Sequence, residues 1–174
     1  MKKNIHLITM FVLAAVLLQA CRPDSYKSVG TPVNALGSLA GTWQITKVIQ
    51  TDENAKNNGF NYGPINIQTM DLTSVFAYTD FKLTLNFTNG VPSTFTTTPG
   101  NSPKIIRLAS GNWSVDNPSY PQVLIFANAT DTARVTLGAY PVGSATPVLK
   151  IAAQKRDASS GKLLISYSYE FSKK

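Results

Sequence analysis

Histidine and cysteine each occur once in this 174-residue chain, as His6 and Cys21. A single cysteine excludes a disulfide framework and a cysteine-based zinc finger. Acidic residues number nine against 16 Lys and Arg, and only Glu53 and Glu170 are glutamates. Glycosidase chemistry, which sets two carboxylates at a defined separation, therefore has few candidates. There is no Gly-x-x-x-x-Gly-Lys phosphate loop and no dinucleotide-type glycine pattern after a strand. No apolar run approaches the ~20 residues that a membrane-spanning helix needs. What is present is 43% hydrophobic residues with only 14% charge, which excludes a disordered, solvating chain. The length suits one ordinary domain.

The chain opens on Lys2 and Lys3, followed by an apolar stretch from Leu7 to Leu18 broken only by Thr9. This fits the positive start and the apolar region of a secretory signal. The stretch ends Leu18-Gln19-Ala20-Cys21, which resembles the lipobox of bacterial lipoproteins. The resemblance implies cleavage before Cys21 and a thioether to diacylglycerol on its sulfur, with a further acyl chain on the freed amine. Stable anchoring takes at least two chains, each buried methylene contributing about 0.8 kcal/mol. Removing twenty of the 174 residues leaves 154; losing Lys2 and Lys3 lowers the formal charge from +7 to +5. His6 also departs, so the mature chain can form neither a Ser-His-Asp triad nor a histidine metal site. Residues 1–20 are thus read as the signal peptide and 21–38 as the lipidated cysteine with its tether. The tether carries Pro23, Gly30, Pro32 and Gly37. Its seventeen residues after Cys21 reach about 55–60 Å when extended. The expected location is the outer membrane, facing the periplasm or the cell surface.

Residues 39–174 read as a β domain. Phe81, Leu83, Leu85 and Phe87 alternate with Lys82, Thr84, Asn86 and Thr88, the signature of a half-buried strand. Asn89-Gly90 follows, a pair suited to a type I′ hairpin because both central residues need positive φ. Ser93–Thr98 is the expected return strand, with Pro92 marking an edge or a bulge. Further runs are Trp43–Ile49, Ile105–Leu108, Gln122–Ala127, Ala133–Leu137, Leu149–Ala153 and Leu163–Phe171. Short runs separated by turn residues predict an all-β, antiparallel up-and-down barrel of about eight strands, or else a two-sheet sandwich. The segment from Asp52 to Tyr78 breaks the alternation. Within it a short helix is expected after Asp52, and Asp71 is a candidate cap for another.

The first strand opens Leu39-Ala40-Gly41-Thr42-Trp43. This Gly-x-Trp start resembles the lipocalin-like domains of small bacterial lipoproteins, several of which are domains of unknown function. The resemblance implies that Gly41 and Trp43 close one end of the barrel, with the Trp under a basic residue of the last strand. That strand holds no Arg, and Lys173 is the nearest basic residue. A second Gly-x-Trp, Gly111-Asn112-Trp113, starts a later strand.

Other motifs are weaker. Ser159-Ser160-Gly161-Lys162 matches Ser-x-x-Lys but lies in a hairpin loop, whereas that chemistry sets the pair on a helix. Asp131-Thr132-Ala133 resembles a short O-glycosylation acceptor. Asp52, Glu53, Asp71 and Asp80 fit no EF-hand spacing. The remaining cations form no block of five or six, so nucleic acid is not expected as a partner. The chain is expected to be non-enzymatic and to need no cofactor or metal. A small apolar or amphipathic ligand would lie in the barrel, with Phe126, Tyr167 and Tyr169 as lining candidates. The alternatives are a surface glycan-binding sandwich using loop tyrosines (Tyr26, Tyr62, Tyr78, Tyr120 and Tyr140), and a protein-binding envelope scaffold or inhibitor.

Overall fold

The computed structural model describes residues 34–60, 67–139, 141 and 146–174. The chain divides into Met1–Pro32 and Val33–Lys174; the expected signal segment, Cys21 and most of the expected tether lie outside the described residues. No helix among the described residues is long and apolar enough to cross a membrane.

The second unit begins with a one-turn helix, α1 (Ala35–Ser38), and continues into β1 (Gly41–Asp52). A short helix α2 (Glu53–Asn57) follows, then β2 (Thr69–Asp71) and a 3-10 turn at Tyr78–Asp80. The remaining strands are β3 (Lys82–Thr88), β4 (Val91–Thr98), β5 (Ser110–Val115) and β6 (Val123–Ala127). Last come β7 (Thr132–Ala139), β8 (Val148–Arg156) and β9 (Leu163–Lys173). Every pairing is antiparallel, and β1 pairs with β9, so β1 and β3–β9 close into an eight-stranded barrel. The all-β barrel expectation is met, and the sandwich is set aside. Beyond the reach of β3, the three-residue β2 pairs with the far half of β1.

Closure explains the spacing of the inner residues. Trp43 and Ile45 face inward, and so does Val48, three residues on. Such a spacing breaks a period of two unless one residue bulges, and the β1–β9 register slips between Ile45 and Lys47. A second slip lies between Leu85 and Phe87, opposite the strand that carries Pro92. Asn89 and Gly90 both have positive φ, as the turn chemistry requires.

The core comes from every strand of the barrel except β7, whose inward side chains are only half-buried. Trp43, Phe81, Leu83, Phe95, Leu124, Phe126, Leu149 and Phe171 are fully or almost fully buried, with Phe95 and Phe126 in ring contact at 4.7 Å. All members of the core and its packed margin lie between Leu36 and Phe171. The barrel closes on its own first and last strands, so residues 34–174 carry what they need to fold as a unit.

Three expectations are corrected. Ile105–Leu108 is not a strand: it belongs to the loop between β4 and β5, where Ile106 and Leu108 are buried over one end of the barrel. Asp71 caps no helix. It ends β2, and its Oδ1 accepts from the Thr73 backbone N–H. Tyr78 is buried, not exposed. The expected helix after Asp52 is α2, with the Asp52 side chain accepting from Ala55 N–H.

Candidate functional site

The two ends of the barrel differ. β1 starts at one end, and α1 precedes it there. Here the Trp43 indole N–H donates to the Leu39 carbonyl at 2.8 Å, and both residues are fully buried. Lys173 Nζ lies 5.5 Å from the Trp43 ring centroid, a cation–π distance. Gly41 makes room for that lysine. Its φ is +125°, and a Cβ there would meet Lys173 Cε at 2.5 Å. Gly41, Trp43 and Lys173 thus come together as one closure. Trp113 has a different job: its indole N–H donates to the Asn86 carbonyl at 2.7 Å, tying β5 to β3. Gly111, before it, meets β6 closely, where a Cβ would stand 2.1 Å from the Ala127 carbonyl oxygen.

The opposite end carries α2, the 72–81 segment, the β4–β5 loop and the turns at 128–131 and 157–162. Hydrogen bonds tie most of these to their neighbours. Asn101 N–H donates to Asp80, Arg107 pairs with Asp131 at 2.6 Å, and Lys162 Nζ donates to Asn54. Among the described residues, no such bond joins the 128–131 turn to the 157–162 turn. The strands beneath them also part. β7 pairs with β8 only through Thr136, Leu137 and Ala139, so Thr132–Val135 pair with β6 alone and Ala153–Arg156 with β9 alone.

Residues paired across a sheet share a face, so the register reads out what lines this mouth. One inner row runs Val48, Tyr169, Ile151, Leu137. Of these, Val48, Tyr169 and Ile151 are buried. The next row outward runs Met70, Gln50, Tyr167, Ala153. Here Met70 is 55% exposed and the other three are half-buried. The outermost row is Asp52, Ile165, Lys155. On β7, Val135 and Ala133 pair with the inward Leu124 and Phe126 but are themselves half-buried. The result is an apolar wall across β7, β8 and β9, packed below and uncovered above.

Aromatic rings form the floor of this mouth. Tyr167 stacks on Tyr169 at 6.2 Å, Tyr169 meets Tyr78 edge-on at 6.1 Å, and Tyr78 meets Phe76 at 5.8 Å. Burial pushes the Tyr78 hydroxyl above its ordinary pKa, with nearby Tyr167 adding to the effect. Burial does the same more strongly for Tyr169, aided by Tyr78 and Tyr167. Both phenols are therefore neutral at physiological pH.

Of the lining candidates, Tyr167 stands in the uncovered row, Tyr169 in the row beneath, and Phe126 in the packed core against Phe95. Met70, Gln50, Val135, Ala153 and Lys155 were not singled out by sequence, because their grouping depends on cross-strand register. Cys21 lies outside the described residues, as do Tyr26, Tyr62 and Tyr140. Tyr120 is 74% exposed, at the end closed by Trp43. A separate open groove of ≈ 760 Å³ crosses the outer wall, lined by polar side chains such as Thr94, Thr96, Ser110 and Asn112. The described residues contain no group of three His, Cys, Asp or Glu placed to hold a metal ion.

The closed eight-stranded antiparallel barrel, sealed at one end and loosely covered at the other, fits the lipocalin-like class of small β domains. The chain belongs to the family described as Domain of unknown function (DUF5004), which it matches over residues 19–172. No curated protein and no solved structure matches it.

Proposed function

We propose that this protein is a lipid-anchored, non-enzymatic envelope protein that binds a small apolar or amphipathic molecule at the mouth of its barrel. One observation carries the reading: the inner row Met70, Gln50, Tyr167 and Ala153 is only partly covered, while Val48, Tyr169 and Ile151 in the next row inward are buried. Inward apolar side chains that stay half-wet favour a guest. Each 100 Å² of ligand surface they cover contributes about 2.5 kcal/mol before ordering costs. Gln50 supplies an amide for a polar head, and Asp52 and Lys155 flank the rim. Anchoring rests on Cys21, which with its tether falls inside the family match.

The binding half is tested by NMR titration of residues 22–174 with dodecanol. Shifts are expected at Val135, Ala153, Ile165 and Tyr167, and not around Trp43. Shifts scattered over the outer wall would reject the site. The anchoring half is tested by Cys21→Ser and fractionation: the variant leaves the membrane fraction, and full retention would reject lipidation.

A further inference from the structure

We infer that the open end of the barrel docks on a lipid bilayer, the same bilayer that holds the lipidated Cys21. The inference goes beyond the ligand reading and rests on the proposed anchor only for its reach.

Seven large hydrophobic side chains are exposed among the described residues: Phe60, Ile67, Met70, Val75, Phe76, Val91 and Tyr120. Five of the seven belong to the connection between β1 and β3, at the open end. Met70, Val75 and Phe76 are the most exposed of the five, at 55%, 58% and 51%. Met70 sits in the inner row of the mouth. Phe76 is joined to that row through its ring contact with Tyr78, and Tyr78 through Tyr169 to Tyr167. Val75 is held beside them by its N–H to the Leu72 carbonyl. These side chains are borne on short turns and a three-residue strand around an opening. Such a fringe matches a fluid apolar layer better than the flat, close-packed patch that a protein partner requires.

Reach decides which surface is available. β9, which runs from the mouth to the closed end, has 11 residues. At ~3.3 Å per residue and a tilt near 40° it gives the barrel a height of about 28 Å. The described chain starts at Asn34, at the closed end. The thirteen steps from Cys21 to Asn34 span at most about 45 Å. A barrel tethered at its closed end can therefore turn over and set its open end on its own membrane. There the tether maintains a high effective concentration. Cations and acids are balanced at this end: Lys56, Lys104, Arg107, Lys155, Arg156 and Lys162 against Asp52, Glu53, Asp71, Asp80, Asp131 and Asp157. Attraction by apolar contact, not by surface charge, follows.

The experiment is flotation of residues 22–174, which lack the acylated cysteine, with vesicles of phosphatidylcholine. The domain is expected to float with the vesicles and to do so equally at 50 and 500 mM salt. Met70→Ser/Val75→Ser, two exposed positions, should lower the floated fraction at least fivefold, and adding Phe76→Ser should lower it further. Val91→Ser/Tyr120→Ser, at the opposite end, should leave it unchanged. A wild-type domain that does not float, or variants that float equally, would overturn the docking. So would flotation confined to anionic vesicles at low salt, or an apolar fringe covered by a purified protein partner that excludes vesicles. Dodecanol shifts at the mouth without flotation would remove the docking and leave the ligand reading standing.

Discussion

Gly41 and Lys173 show how much one residue can settle at the closed end. A lysine over the Trp43 ring gives a cation–π contact worth about 0.5–1 kcal/mol at a partly exposed site. A Cβ on residue 41 would fall 2.5 Å from Lys173 Cε, so the flexible end of the lysine would have to shift. Gly41→Ala also places a side chain at φ +125°, a strained conformation. We expect Gly41→Ala to lower unfolding free energy by about 1–3 kcal/mol. Lys173→Ala should lower it by about 0.5–1 kcal/mol. In urea titrations the double variant should fall short of the sum, because both changes disturb one contact. Trp43→Ala, which empties a fully buried site, should cost about 3–5 kcal/mol. At the other end the tyrosines report on packing. Tyr78 and Tyr169 have raised pKa values from burial, so their ionisation favours unfolding above pH 10. An alkaline absorbance titration should show these two ionising only as the barrel unfolds.

At the scale of elements, the turns at the barrel ends are built on aspartates. Asp157 accepts from the backbone N–H and hydroxyl groups of both Ser159 and Ser160. Those bonds, led by the Ser159 hydroxyl, hold its carboxyl well below the usual range. Asp116 is lowered by the backbone N–H groups of Gln122 and Val123. A carboxylate depressed in the folded state binds protons more readily when unfolded. Its contribution is complete above the unfolded pKa near 4 and fades as pH falls through the folded value. Urea midpoints should therefore hold steady from pH 7 to 5 and fall below pH 4, with a smaller fall for Asp157→Asn. The alternating strands were legible in the sequence, because each has one wet face: β3, β7 and β9 were readable residue by residue. Beyond the short helix after Asp52, the connection up to Tyr78 was not. β2 has three residues and no period to detect, and Tyr78 is polar enough to read as a loop ring until the chain folds it onto Tyr169. Ile105–Leu108 misled for the opposite reason, since a short apolar run states that it is buried but not whether a ladder or a loop buries it.

For the whole molecule, the contrast between ends is the organising fact. One end is sealed by Leu39, Trp43 and Lys173. At the other end, β7 and β8 diverge and leave an apolar wall half-covered. Little of that site could be read beforehand, since Tyr167 alone among the sequence candidates stands in the uncovered row. Met70, Gln50 and Ala153 join it across strands far apart in the chain, through a register that depends on the bulge at Thr46. The claim that this mouth takes an apolar guest is tested most directly by fluorescence titration with the neutral probe N-phenyl-1-naphthylamine, comparing wild-type residues 22–174 with Ala153→Trp. The account predicts one saturable site of about micromolar affinity, near −8 kcal/mol. The indole, filling the wall beside Tyr167, should weaken binding at least tenfold without lowering the melting temperature by more than a few degrees. An absence of saturable binding, or equal affinity in a well-folded Ala153→Trp variant, would contradict it.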